Sequence, residues 1–348
     1  MSAIVIPGVS VGATGELERL APGVQHRLAA RGRRSAPGAG SDPVSVECQG
    51  CGRLLEGRLT YDAKTAPGAI WDKAGARATV PNSWSLPAGP LEHGGSCPGA
   101  TAACQGCYAA NLEGAYPSLR RLVNGNLETL EHALECGGIA TAAALLGAVV
   151  ARSRDLQRQD GVARPVFRWH QDGDIFSERY ARAIRRAVLE HQDVDHWIYT
   201  RTLGAVRLLQ GLPGLRLFVS VDRYNWRPAA RVAARWGAPV AILEDTLEDG
   251  LRLLDQVQAL EPGLLEHWSR AIPCPATHAW KHDGRGPAHL VGQDGRRSSL
   301  ERGAPAAGAC VACGVCLPGG RARPVIFVKH GGQTRALGCR RCASFSAF

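Results

Sequence analysis

Three cysteines fall within one short stretch, SCPGATAACQGCYA, where Cys97, Cys104 and Cys107 are spaced C-x6-C-x2-C. Thiolates are soft donors that suit iron–sulfur clusters and zinc alike. Structural zinc is four-coordinate. Three local thiols with no adjacent fourth ligand therefore leave one metal position open, as a reactive iron–sulfur cluster requires. The competing reading is a zinc ion completed by a distant residue such as His93. A second run, ACVACGVC, sets Cys310, Cys313 and Cys316 at successive two-residue gaps. That is the ferredoxin-type arrangement, in which three cysteines clasp one 4Fe-4S cube and a distant cysteine completes it. Cys274, followed by Pro275, is the candidate fourth ligand, and such an auxiliary cluster would relay electrons or bind substrate. Two half-sites remain, Cys48/Cys51 in ECQGCG and Cys339/Cys342 in GCRRC. Joined, they form a four-thiolate zinc site tying the two ends of the chain together. Apart, they are pairs with other ligands, or redox pairs. Cys136, late in a helical stretch, reads as a buried thiol.

The elements that must position these groups follow from periodicity. Residues 1–45 are rich in Ala, Gly and Arg without a clear period and read as a flexible arm. Residues 46–80 form an N-terminal segment carrying the first half-site. Over 81–261 the pattern alternates: a short strand in WSLPAG, the cysteine loop, helices through LRRLVNGNLETLEHAL and ATAAALLGAVVARSRDLQRQ, then four strand–helix units. Those strands are PVFRWHQ, HWIYTR, LRLFVSV and PVAILE. Strands alternating with helices at short spacing predict an α/β fold with a parallel sheet, arranged as a partial or complete (β/α) barrel. Residues 262–348 read as a loop-rich, cysteine-rich metal-binding extension with one strand in PVIFVKH.

Composition narrows the class. The twelve cysteines stand in a chain whose first residues, MSAIVIPGVSVG, have no basic start before the apolar run. They are expected to be thiols and metal ligands in a cytoplasmic protein, not disulfides. The longest apolar stretch, Gly137 to Ala151, is too short to span a bilayer, so no membrane partner is expected. A formal net charge of +10 favours anionic partners, nucleic acid or a nucleotide first among them.

In α/β barrels chemistry gathers at the C-terminal strand ends, and these ends are polar. The first reads Arg168-Trp169-His170-Gln171-Asp172-Gly173-Asp174, and strand alternation puts Arg168, His170 and Asp172 on one face. Tyr199 to Thr202 close the second strand, Ser220-Val221-Asp222 the third, and Leu243-Glu244-Asp245 the fourth. Taken singly, an acid at a strand end is often only a helix cap.

A cysteine loop after a first strand, followed by βα units, resembles the radical S-adenosylmethionine enzymes, although their usual spacing is C-x3-C-x2-C. SLPAG, CPGA, C-x2-CYA, R-x-H-x-x-GD and the late C-x2-C-x2-C resemble an actinophage family, the gene-product-eighty-eight domain, over about Pro81 to His330. The first resemblance implies a 4Fe-4S cluster on Cys97, Cys104 and Cys107 that binds S-adenosylmethionine and takes an electron from a donor. It further implies reductive cleavage of that cofactor and hydrogen abstraction from a substrate. Asp172-Gly173-Asp174 would receive the methionine amino group, with Asp174 as the acid. Ser220 and Asp222 would face the ribose, Glu244 the adenine, and His170 or Arg168 would orient substrate or move a proton. Two rivals stand beside this reading. One is a non-catalytic, zinc-containing nucleic-acid-binding protein. The other is a base-exchange enzyme on a barrel with structural zinc and Asp172 or Asp174 as nucleophile.

Overall fold

The computed structural model describes residues 43–62, 70–72, 75–77, 80–105, 107–264, 271–274, 315–319 and 323–328. The described residues open with an antiparallel hairpin, β1 (Val44–Glu47) and β2 (Leu54–Gly57), and a second small one, β3 (Ile70–Asp72) and β4 (Gly75–Arg77). Then come β5 (Ser83–Trp84), α1 (Tyr108–Ala115), α2 (Pro117–Cys136) and α3 (Gly138–Gln159). Alternation follows: β6 (Val166–Trp169), α4 (Glu178–Glu190), β7 (Asp195–Thr200), α5 (Leu203–Leu209), β8 (Leu215–Val221), α6 (Trp226–Trp236), β9 (Val240–Glu244) and α7 (Leu247–Leu260). β10 (Ile272–Pro273) and β11 (Val325–Val328) close the series.

Seven of these strands form one sheet in the order β10-β11-β9-β8-β7-β6-β5, and every pairing in it is parallel. From β5 to β9 each strand lies beside its successor. Right-handed crossovers then place all the connecting helices on one face. The helices agree: α3 packs on α4, α4 on α5, α5 on α6 and α6 on α7. Among the described residues no ladder joins β5 to β10. The α/β class and parallel sheet expected from the sequence are present, while barrel closure is not seen in this sheet.

Alternation along each strand explains the two faces. Leu215, Leu217, Val219 and Val221 of β8 enter the main core under the helices, together with Phe167, Trp169, Ile198, Val240, Ile242 and Ile326. Phe218, Ala241 and Val325 point to the opposite, open face, which the segment around Cys316 and Leu317 partly covers. The helices carry their own start and stop signals. Ser177 caps α4 by accepting from the Tyr180 amide at 3.2 Å, and Thr246 caps α7 from the Asp249 amide at 3.1 Å. α6 stops at Gly237, whose φ of 62° is left-handed. No helix among the described residues is long and apolar enough to cross a membrane.

Candidate functional site

The cysteine loop lies across the C-terminal ends of β6, β7 and β8. Backbone hydrogen bonds set its entry: His170 N donates to Trp84 O at 2.8 Å and Leu86 N to Asp172 O at 3.0 Å. Ser96 Oγ donates to Pro87 O at 2.9 Å and accepts from Asp174 N at 3.2 Å. Gly173 makes that fit possible. Its φ is 82°, and a Cβ there would fall 2.4 Å from Ser96 Oγ. Further on, Gly99 presses on β7's exit, where a Cβ would meet Arg201 O at 2.4 Å. Thr101 Oγ1 donates to Asp222 Oδ2 at 2.7 Å, pinning the loop to the end of β8.

These contacts set the loop over the sheet with Cys97, Cys104 and Cys107 within electrostatic reach of one another, though not as a group whose sulfurs all lie within 4.8 Å. Cys97 senses the charges of Asp174, Cys107 and Cys104, and Cys107 those of Cys104 and Asp172. Burial drives the Cys97 thiol far above its ordinary range, and Asp174 adds to this. Burial likewise lifts Cys107 to about 11, against the pull of the Ala110 and Ala109 amides at the start of α1. Thiols held this high lose their protons readily only to a metal, which supplies the missing positive charge. Arg201, whose side chain lies near Cys104, is the cation on the spot, and it is ion-paired with Asp222.

The acids at the strand ends divide sharply. Asp174 is wholly engaged: Oδ1 accepts from the Ile175 amide and from Thr200 Oγ1, each at 2.7 Å, and Oδ2 from the Arg201 amide at 2.8 Å. Asp222 accepts from Thr101, Arg201 and the Tyr224 and Asn225 amides. Glu244 clamps Arg223 through its amide and guanidinium. Ser220 sits on β8 with its carbonyl accepting from Asn225 Nδ2 at 3.0 Å. Asp172 is different. It is 1% exposed, and neither carboxylate oxygen has a hydrogen-bond partner among the described residues. Burial, then Glu113, raises it to about 7 against the opposing pull of Arg168. Glu113 itself accepts from the Ala88 amide at 2.7 Å.

Arg168 and His170 do not share a face, contrary to the alternation expected from the sequence. β6 ends at Trp169, and His170 takes a left-handed φ of 60°, which turns its ring away. Its Nε2 lies 2.6 Å from Tyr180 Oη of α4, and burial depresses its imidazole to about 3, so it is neutral. Arg168 stays on the open face. It is paired with Asp62 at 2.5 Å and lies 5.8 Å from the Tyr199 ring.

A second cysteine group stands apart from the strand ends. The ligand atoms of Cys48, Cys51, His132 and Cys136 all lie within 4.8 Å of one another. Cys48 and Cys51 come from the β1–β2 turn, and His132 and Cys136 sit one helical turn apart at the end of α2. His132 Nε2 is 3.3 Å from Cys51 Sγ. Burial works to raise Cys48, but the Cys51 and Gly50 amides prevail and lower it. This Cys3His set can hold a metal such as zinc. Cys136 is exposed, not buried as the sequence suggested: it is the last residue of α2, at the helix end beside the other three ligand residues. Its i, i+4 relation to His132 was the overlooked signal. Cys339 and Cys342, the alternative partners of Cys48 and Cys51, lie outside the described residues, as do Cys310 and Cys313. Cys274 and Cys316 are described and share one apolar cluster with Phe218 and Val325 on the open face.

The architecture is thus a parallel α/β sheet with a cysteine loop over its strand ends and a separate Cys3His cluster. The family model described as Gene product 88 matches residues 56–319, and the chain belongs to that family. It is similar to the Gene 88 protein of Mycobacterium phage L5, 36% identical over 182 residues, which is 51% of this chain and 72% of that protein. The Gene 88 protein of Mycobacterium phage D29 is 34% identical over 181 residues, with the same shares covered. No solved structure matches the chain.

Proposed function

We propose that the protein is an iron–sulfur enzyme whose reactive 4Fe-4S cluster is held by Cys97, Cys104 and Cys107, with S-adenosylmethionine as cofactor and an electron donor as partner. One observation carries the reading: a three-cysteine loop lies across the C-terminal ends of parallel strands beside Asp172, a buried carboxylate with no partner. The donor set fits the group. Three thiols leave one position for a ligand, and an orphaned carboxylate deep in protein is costly unless a cation meets it. The cofactor's amino N–H groups would donate to it, and its sulfonium would bring positive charge into the same pocket. Bound there, cluster and cofactor would supply reductive cleavage of the sulfonium and hydrogen abstraction from substrate.

The chain's own residues position and shield. In this reading Asp172 takes the amino group, a role the resemblance gave to Asp174. Asp174 holds β6 to β7 through Thr200 and the Arg201 amide, and keeps the floor of the site rigid. Asp222 and Arg201 fix the far side of the loop. Ser220 and Glu244 line the route taken by the rest of the cofactor. Arg168, held by Asp62 on the open face, is the residue placed to orient an anionic substrate, a nucleic acid or a nucleotide. The shared cluster of Cys274 and Cys316 supports an auxiliary centre completed by Cys310 and Cys313. The consecutive order of β5 to β9 supports a partial barrel of the radical-enzyme type.

The Cys3His group favours a second reading, a zinc-containing nucleic-acid-binding protein without catalysis. Metal and acid-labile sulfide analysis of anaerobically purified protein separates the two. The proposal expects about four iron and four sulfide per chain for the loop cluster, alongside zinc. Zinc with neither iron nor sulfide, and no uptake on anaerobic reconstitution, overturns it in favour of the second reading.

A further inference from the structure

Helix α6 carries Arg227, Arg231 and Arg235, three arginines four residues apart, so successive side chains rise about 6 Å along one stripe. All three are exposed. The helix contains no acid, and among the described residues none of the three has an acidic partner. Like charges at i, i+4 repel and weaken a helix. Several arginines elsewhere in the helix layer are paired with acids, while Arg152 and Arg185 stand without an ion pair among the described residues but not in a stripe of three. Arg182 pairs with Glu178 at 2.7 Å, Arg207 with the same Glu178 at 2.5 Å, and Arg252 with Glu248 and Asp249, both at 3.1 Å. Arg158 pairs with Asp193 at 2.8 Å. On α6 the arginines instead meet aromatic rings: Arg227 lies 5.0 Å from the centroid of Trp226 and Arg235 5.5 Å from that of Trp236. Trp236 is 39% exposed, and Tyr224, just ahead of the helix, is 59% exposed.

We infer that α6 is a docking surface for the phosphodiester backbone of a nucleic acid. Evenly spaced guanidinium groups without acidic partners among the described residues match a row of phosphates, and exposed aromatic rings at both ends offer stacking faces to bases. The placement connects the surface to the chemistry. α6 begins four residues after Asp222, the acid that pins the cysteine loop through Thr101. A strand lying along the stripe, with Arg227 nearest the rim, leads to the strand ends. The inference names the substrate class of the proposed enzyme, but binding along α6 does not depend on which metal the cysteines hold.

The test is fluorescence anisotropy of the full chain with a fluorescein-labelled 20-nucleotide single strand and the matching 20-base-pair duplex, over a salt series. Two triple variants carry the same change in net charge: R227E/R231E/R235E on α6, and R182E/R207E/R252E on the other helices. The first should weaken binding of at least one probe by ten-fold or more and flatten the salt slope by about three. The second should leave affinity within about three-fold of the parent, since rim charges away from the contact act weakly. A third variant, R227Q/R231Q/R235Q, guards against a folding artefact. Relieved of like-charge repulsion, it should melt no lower than the parent while binding still falls. Equal losses in the two charge-reversal triples would reduce the effect to net charge and overturn the inference. Undiminished binding in the glutamine triple, or no binding of either probe by the parent at low salt, would do the same.

Discussion

The two cysteine groups are built in opposite ways. Cys48, Cys51, His132 and Cys136 offer four ligands within 4.8 Å, all supplied by a hairpin turn and one helix end remote from the strand ends. Cys97, Cys104 and Cys107 offer three thiols over the sheet, next to a carboxylate whose two oxygens have no hydrogen-bond partner among the described residues. A closed four-ligand set saturates its metal and holds structure, whereas an incomplete set leaves coordination free for chemistry. The first group fastens the β1–β2 hairpin to α2. The second sits where an α/β fold places its reactions.

The sharpest way to break this comparison is to remove one thiol from each group. Cys104→Ala should remove the loop cluster's share of iron and sulfide, leaving only that of an auxiliary centre, while retaining zinc. Cys136→Ala should lose zinc while retaining iron. Elemental and sulfide analysis of both reads the outcome, and parallel loss in both variants would mean the groups are not independent. Loss of zinc should also destabilise the fold by more than about 2 kcal/mol, because the metal clamps segments far apart in sequence. Thermal melts with and without a chelator check this.

Asp172 and Asp174 differ in the same way within the strand-end site. Asp174→Ala would strand Thr200 Oγ1 and two backbone amides, so a loss of about 3 kcal/mol is expected on denaturant unfolding. Asp172→Asn should behave oppositely in the metal-free protein. With its folded value raised to about 7 from 3.8, chiefly by burial, the parent is favoured while the carboxyl is protonated and loses stability as pH rises through that value. The asparagine removes this loss. Melting temperatures of the variant should therefore fall less than the parent's between about pH 4 and pH 7. Steeper decline in the variant would contradict the orphaned-carboxylate picture. Smallest is Thr101→Val, which removes the hydrogen bond to Asp222 and the long one accepted from the Ala103 amide and should cost about 1 kcal/mol.

Much of the scaffold was legible because core strands and capped helices write themselves locally. LRLFVSV delivers β8 at Leu215–Val221, and LEDGLRLLDQVQAL delivers α7 at Leu247–Leu260. The polar strand ends and the three-cysteine loop were also written locally, and the loop's Ser96, Gly99 and Thr101 meet Asp174, Arg201 and Asp222 at those ends. What escaped depends on partners distant in sequence. His132 and Cys136 meet Cys48 and Cys51 only because the hairpin packs on the end of α2, which no local period encodes. Asp172 and Asp174 are two residues apart and chemically alike, yet Thr200 and Arg201 of the neighbouring strand satisfy only the second. His170 left the expected face because its strand stops one residue earlier and its backbone turns left-handed. Asp62, which anchors Arg168, lies 106 residues away from it in the chain.

The most direct test of the central claim is electron paramagnetic resonance of the anaerobically reconstituted, dithionite-reduced protein, recorded with and without S-adenosylmethionine. The account expects a 4Fe-4S signal whose g-values change on adding the cofactor, and a change that is lost in Asp172→Asn with the cluster still present. A protein that binds zinc at both cysteine groups and gives no cluster signal would contradict it.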